Sequence, residues 1–172
     1  MCRLIRNSAS TGKDCHFATW KSQLTYWPLR PQKPGTADPA RSGVCIAAAG
    51  FASAVAFGIA MLAKGGSDAK ECNTVHTGST NDKVHWEVYA EGGKHCDTSA
   101  QLDTIAGAMK KYLSSQHGNI CGVKCIKLDH GGTWRGYVTL GGTKEDLSAY
   151  HCGKSYTFGD CGKGGNKDIS LD

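Results

Sequence analysis

The sequence predicts an α+β fold, an α/β sandwich in which a small antiparallel sheet packs on helices, stapled by disulfides and preceded by a hydrophobic helix. Three observations carry this reading. Residues 84–90 alternate with period two, and 120–128 and 134–140 are rich in β-formers. Leu102, Ile105, Met109, Tyr112 and Leu113 recur at helical spacing. Six of the nine cysteines fall after residue 66.

A chain of 172 residues suits one domain, or one domain with a tail. Its 23 glycines predict many turns. Three parts are legible: a basic arm over 1–41, a hydrophobic Ala/Gly-rich segment over 42–66, and a cysteine-rich α/β body over 67–172. Residues 42–172 can also be read as one fold. All four prolines lie between Pro28 and Pro39, where they mark a linker. The arm shows no sustained apolar period, so it is expected to have little fixed structure or to be a pro-region. Cys2 and Cys15 lie in this arm.

The formal net charge of +5 sits wholly in the arm, which carries seven basic and two acidic residues. The remaining chain has thirteen of each. A basic groove over a folded body is therefore excluded, and no nucleic-acid partner is expected. The arm reads either as a solvated tail or as the positive flank of a membrane-directed segment.

From Ser42 to Ala63 there are 22 residues without a charge, and Lys64-Gly65-Gly66 is expected to end the run. A helix of that length would span a hydrocarbon core of ~30 Å. Its strong inserters sum to only about −3 kcal/mol, because eight of the 22 residues are Ala. Gly50, Ala54 and Gly58 form a stripe of small residues that admits a close backbone. Beside it runs an apolar ridge of Phe51, Val55, Ile59 and Leu62. The segment reads as a helix over 44–63, either buried in an α/β protein, or entering a membrane, or serving as a signal-peptide core. For the last it begins far from Met1.

In the body, Val84, Trp86 and Val88 alternate with His85, Glu87 and Tyr89, as in a half-buried strand. Asp97-Thr98-Ser99 offers N-caps for a helix over 99–116, closed by Gly118. Asp129-His130-Gly131-Gly132 reads as a hairpin turn between the runs 120–128 and 134–140, with Trp134 an apolar anchor. Thr143 and Asp146 resemble a capping box for a short helix ending near Tyr150. Residues 156–158 add an edge strand.

The cysteines Cys72, Cys96, Cys121, Cys125, Cys152 and Cys161 are expected to form three disulfides, with fifteen connectivities open. Cys45 is the odd member, able to pair with any of them. Such density points to an oxidising compartment. A metal site is not expected, because Cys121 and Cys125 are read as lying on one strand, about 13 Å apart. No cofactor is expected either. Gly153-Lys154-Ser155 lacks the earlier glycine of a phosphate-binding loop, since Ser148 stands there. His85-x-Glu87 lacks the cysteine pair of a zinc deaminase. The enzymatic alternative is a metal-free ribonuclease using His85, Glu87, Arg135 and His151. No catalytic residue is otherwise assigned, and the protein reads as a non-enzyme.

The stretch Asp129-His130-Gly131-Gly132-Thr133-Trp134-Arg135-Gly136-Tyr137, set in a cysteine-bearing strand–helix–strand–strand unit, resembles the C-terminal domain of fungal secreted killer-toxin-like proteins, the group of zygocin and the salt-mediated killer toxin. The neutral stretch Val44–Ala63 is similar to their hydrophobic segment. The resemblance covers about residues 42–161. It implies an extracellular α/β sandwich, made as a precursor and trimmed at basic sites, that damages membranes of competing cells. Its partners would be a target-cell membrane or surface receptor, with self-association through the small-residue stripe. Arg41 is the processing candidate at the right boundary; the dibasic pair Lys110-Lys111 falls inside the predicted helix. No signal peptide is evident at Met1, so either export is unconventional or the start is incomplete. A membrane-anchored extracellular module without toxicity is the alternative.

Overall fold

The computed structural model describes residues 22–28, 45–47, 50–80, 83–91, 96–116, 119–130, 133–142, 147–150, 152–153 and 160–169. Residues 22–28 and 160–163 are described as backbone only. The elements run β1 (Ser22–Pro28), β2 (Cys45–Ala47), α1 (Ala52–Asp68), β3 (His76–Thr80), β4 (Val84–Glu91), α2 (Leu102–Ser115), β5 (Asn119–Cys121), β6 (Lys124–Asp129), β7 (Arg135–Gly142) and β8 (Asp160–Gly164). Short 3-10 turns occupy Leu147–Ala149 and Asn166–Asp168. The fold is α+β, with two helices, two antiparallel sheets and three disulfides among the described residues.

The larger sheet has the order β3-β4-β7-β6-β1-β8, and β2 pairs with β5 in a second, two-stranded sheet. The three strands expected from periodicity form the contiguous block β4-β7-β6. In it Val88 lies opposite Val138 and Ile126 opposite Val138 on the other side. Val84, Trp86, Val88, Ile126, Leu128, Val138 and Leu140 face the helices and are buried with Ile105, Met109 and Leu113 of α2. Each such side chain contributes roughly 1.5–3 kcal/mol by leaving water.

The sheet is wider than periodicity implies, because three strands lack a legible apolar alternation. β3 (His-Thr-Gly-Ser-Thr) is a polar edge strand. β8 has glycine or a charged residue at four of its five positions, and takes the other edge. β1 lies inside the arm expected to have little fixed structure. Its Leu24-Thr25-Tyr26-Trp27 core favours extended backbone, and it fills the place between β6 and β8. The linker prolines begin only at its last residue.

The hydrophobic segment is not one helix over 44–63. Residues 45–47 are a strand, and α1 begins at Ala52. The helix passes through Lys64-Gly65-Gly66 and ends two residues later. Glu71 N–H donates to Gly66 O at 2.9 Å and Lys70 N–H to Ser67 O at 3.0 Å. This is a Schellman cap with Lys70, at φ 59°, where glycine is usual. Gly66 lies buried inside the helix, with His76 Nε2 only 3.0 Å from where a Cβ would stand.

α2 begins at Leu102 behind Gln101, not at the Asp97-Thr98-Ser99 caps. Thr98 is used otherwise: its N–H donates to Ser67 Oγ on α1 at 2.8 Å. The run 120–128 is broken by Gly122 at φ 62°, so Cys121 and Cys125 belong to different sheets. β6 and β7 pair antiparallel up to Asp129 opposite Arg135, and the expected anchor Trp134 is buried at 4% exposed; Gly131 and Gly132 between them lie outside the described residues. Gly118, the Thr143–Asp146 capping box and 156–158 lie outside the described residues.

Candidate functional site

The candidate interaction element is α1 with its two flanks. Its inner side is formed by Val55, Ala56, Ile59, Ala60 and Ala63, all buried. Phe51 and Leu62 pack at the margin of the same core. The ridge predicted from sequence is thus the side that holds the helix to the body. α1 lies against α2, β4 and β3.

The small-residue stripe is not one contact surface. Gly50 is exposed, and nothing lies within 4 Å of where its Cβ would be. Ala54 is exposed as well. Only Gly58 makes a close approach, and it does so within the chain. A Cβ there would stand 2.6 Å from Trp86 Cζ2, and one on Gly78 would stand 2.5 Å from Trp86 Nε1. The two glycines make a slot for the indole. A helix turns 100° per residue, so a spacing of four drifts by about 40° per step. Two such steps carry the stripe from solvent round to the sheet.

The outer side of α1 carries an apolar pair that the sequence reading missed. Phe57 is 44% exposed and Met61 is 59% exposed, one turn apart. Periodicity could not find them, since both are apolar in a run where nearly everything is. Their absence from the Val55/Ile59 ridge was the available signal. No described helix is long and apolar enough to cross a membrane.

Both ends of α1 are tied by disulfides. Cys45, in β2, pairs with Cys121, directly opposite in β5. Cys72, just after the helix, pairs with Cys96. The third bridge joins Cys125 and Cys152, each 0% exposed. Cys45 is therefore not the odd cysteine; the antiparallel register of β2 on β5 selects its partner. The side chain of Cys161 lies outside the described residues, as do Arg41 and His151. Three disulfides indicate an extracellular or otherwise oxidising environment.

The sheet face turned away from the helices carries half-buried polar residues on β4 and is covered on β6 by a second cluster of Val123, Cys125, Leu147 and Cys152. His85, Glu87, Tyr89 and Glu91 on β4 lie opposite Gly141, Thr139, Tyr137 and Arg135 on β7. Tyr89 and Tyr137 stack with centroids 5.2 Å apart, and Tyr89 Oη donates to the Cys152 carbonyl. Arg135 Nε meets the Asp129 carboxylate at 3.2 Å, with Lys127 Nζ at 3.8 Å. Burial raises the Tyr137 hydroxyl above its ordinary pKa; Glu91 and Asp129 add to this and Arg135 opposes it. Burial lowers the Lys124 ammonium.

Of the ribonuclease candidates, His85 and Arg135 stand apart on the sheet, and His151 lies outside the described residues. His85 faces Gly141, and Arg135 lies six residues further along β7, about 20 Å away. Arg135 is engaged with Asp129. Among the described residues no group of three or more His, Cys, Asp or Glu could hold a metal ion.

Residues 38–150 match a family of unknown function, DUF6736. The chain belongs to this family. The matched region takes in β2 through β7 and the 3-10 turn at Leu147, and so contains α1, α2 and the block β3-β4-β7-β6. β1 and β8 fall outside it, and they sit together beyond β6 at one end of the sheet. The DUF6736 region includes both disulfides that flank α1; Cys152 lies just beyond it. No curated protein and no solved structure matches the chain.

Proposed function

We propose that this protein is a secreted, killer-toxin-like effector that acts on the membrane of competing cells without enzymatic turnover, with α1 as the element that meets the target. The exposed pair Phe57 and Met61 carries this reading. An aromatic ring and a thioether one turn apart, followed on the same helix face by the Lys64–Asp68 ion pair, suit the boundary between headgroups and acyl chains. The oxidising environment indicated by the disulfides fits an extracellular site of action. Self-association through the same face belongs to this reading.

The test uses the full chain. Dye-loaded vesicles of phosphatidylcholine and phosphatidylserine are incubated with the protein, and structured RNA is incubated in parallel. Dye release is expected, and Phe57→Ser/Met61→Ser should abolish it while leaving thermal stability within about 1 kcal/mol, since both side chains are largely solvated. Binding without release would favour a surface module. RNA cleavage would favour the ribonuclease. Either result overturns the membrane reading.

A further inference from the structure

We infer that the two disulfides flanking α1 form a reducible clasp, and that their reduction by an external dithiol releases the helix from the body. The inference concerns the regulation of the element assigned above and rests on that reading for its membrane consequence.

The placement is specific. Cys45 precedes α1 and Cys72 follows it, so a single 28-residue stretch carries the helix with one bridge on each side. Cys45–Cys121 ties the leading strand to β5, across a sequence separation of 76. Cys72–Cys96 ties the trailing loop to the segment before α2, across a separation of 24. Both bridges have an exposed member, Cys45 in one and Cys72 in the other. Cys125–Cys152 is buried at both residues, in a separate cluster with Val123 and Leu147. Thiol–disulfide exchange needs access of the attacking thiolate, so the flanking pair reacts before the buried bridge.

The backbone at the trailing bridge points the same way. Cys96 is held at φ 52° and Asn73, beside Cys72, at φ 60°. Asn tolerates the left-handed region, whereas Cys does so rarely. Such a conformation persists only where its surroundings over-determine it, and the bridge is one such constraint. Opening it lets Cys96 relax. The remaining polar ties join the same two segments: Thr98 N–H donates to Ser67 Oγ, and Lys64 Nζ donates to Thr98 O at 3.3 Å. Beyond these, α1 is held by Val55, Ile59 and three alanines packed on α2, β4 and β3.

Each step balances. A thiolate of the dithiol attacks one cysteine sulfur, the S–S bond breaks, and a mixed disulfide forms. The second thiol of the reductant displaces the remaining cysteine. Two electrons and two protons pass from the dithiol to the protein for each bridge, so opening both consumes two dithiols. Freed, residues 45–72 present the inner face of Val55, Ile59 and Ala63 together with Phe57 and Met61.

The test treats the full chain with graded dithiothreitol and reads three signals. Alkylation with mass spectrometry follows each cysteine. Hydrogen exchange follows amides 52–68 against amides 84–91 and 135–142. Leakage is read from phosphatidylcholine/phosphatidylserine vesicles. Cys45, Cys121, Cys72 and Cys96 should alkylate before Cys125 and Cys152. Exchange over 52–68 should then rise by more than about tenfold while β4 and β7 stay protected. Leakage rising at the same dithiothreitol concentration supports both the clasp and the membrane reading. Exchange without leakage supports the clasp and overturns the membrane reading. Cys125–Cys152 opening first, or protection of 52–68 persisting after the flanking bridges are open, overturns the clasp. Cys72→Ser/Cys96→Ser offers a second route if it folds, with faster exchange expected at the C-terminal half of α1.

Discussion

α1 and α2 lie side by side on one face of the same sheet, yet they are held by different means. α2 is amphipathic in the ordinary way: Ile105, Met109 and Leu113 are buried, and polar residues near its end reach the C-terminal segment. Lys110, only 6% exposed, satisfies its ammonium on Ile169 O at 2.7 Å, and Lys111 meets Asp168 at 3.1 Å. α1 buries three alanines and a glycine among its seven buried residues. Small side chains remove little apolar surface from water, at about 25 cal/mol per Å². Two flanking disulfides, each contributing roughly 2–4 kcal/mol, offset that deficit. Both helices are packed into one core, and α1 has a bridge on either side.

The largest test of the contrast is truncation of one core residue on each helix. Ile59→Ala and Met109→Ala should each cost about 2–5 kcal/mol in urea denaturation of the oxidised protein. After mild reduction of the flanking bridges, Ile59→Ala should lose its effect on the remaining transition, because α1 is no longer part of it. Met109→Ala should keep its cost. Equal behaviour of the two variants would erase the distinction.

A smaller effect separates the two helix glycines. Gly107→Ala on α2 would place a Cβ 2.0 Å from the backbone oxygen of Gly165, which is already fixed as acceptor for Asp168 N–H. A loss of about 3 kcal/mol is expected. Gly58→Ala on α1 meets the Trp86 ring, a buried side chain rather than backbone, and the better helix propensity of Ala offsets part of the cost. About 1–2 kcal/mol should be lost, with a change in Trp fluorescence.

Smaller still is Ala54→Asp. The position is exposed in the first turn of α1, where a carboxylate interacts favourably with the helix dipole. Thermal unfolding should be unchanged or stabilised by about 0.5 kcal/mol. A burial-type loss would mean that the outer face is covered. Last, Lys70→Gly should stabilise the cap of α1 by about 0.5–1 kcal/mol, since Lys70 holds φ 59° without benefit from its side chain conformation. No corresponding gain exists at Gln116, which caps α2 at φ −82°.

Much of the body could be read from the sequence by itself, for a physical reason. β4 and α2 each bury one face in the common core, and single-face burial imposes period two or period 3.6 on the residues. Cysteine density likewise determined an oxidised, stapled domain. Tertiary structure decided what has no local period. The partner of Cys45 depends on β2 meeting β5, 76 residues away. Gly122 divides an otherwise continuous β-rich run by turning to positive φ. β1 is placed by pairing with β6 and β8, both about a hundred residues or more further along the chain. Which side of α1 faces water could not be read from a segment that is apolar all round. The slot for Trp86 between Gly58 and Gly78 and the tie from Thr98 to Ser67 orient it, and each joins residues far apart in sequence. Local composition sets what a segment can bury; only the surface it meets decides what it does bury.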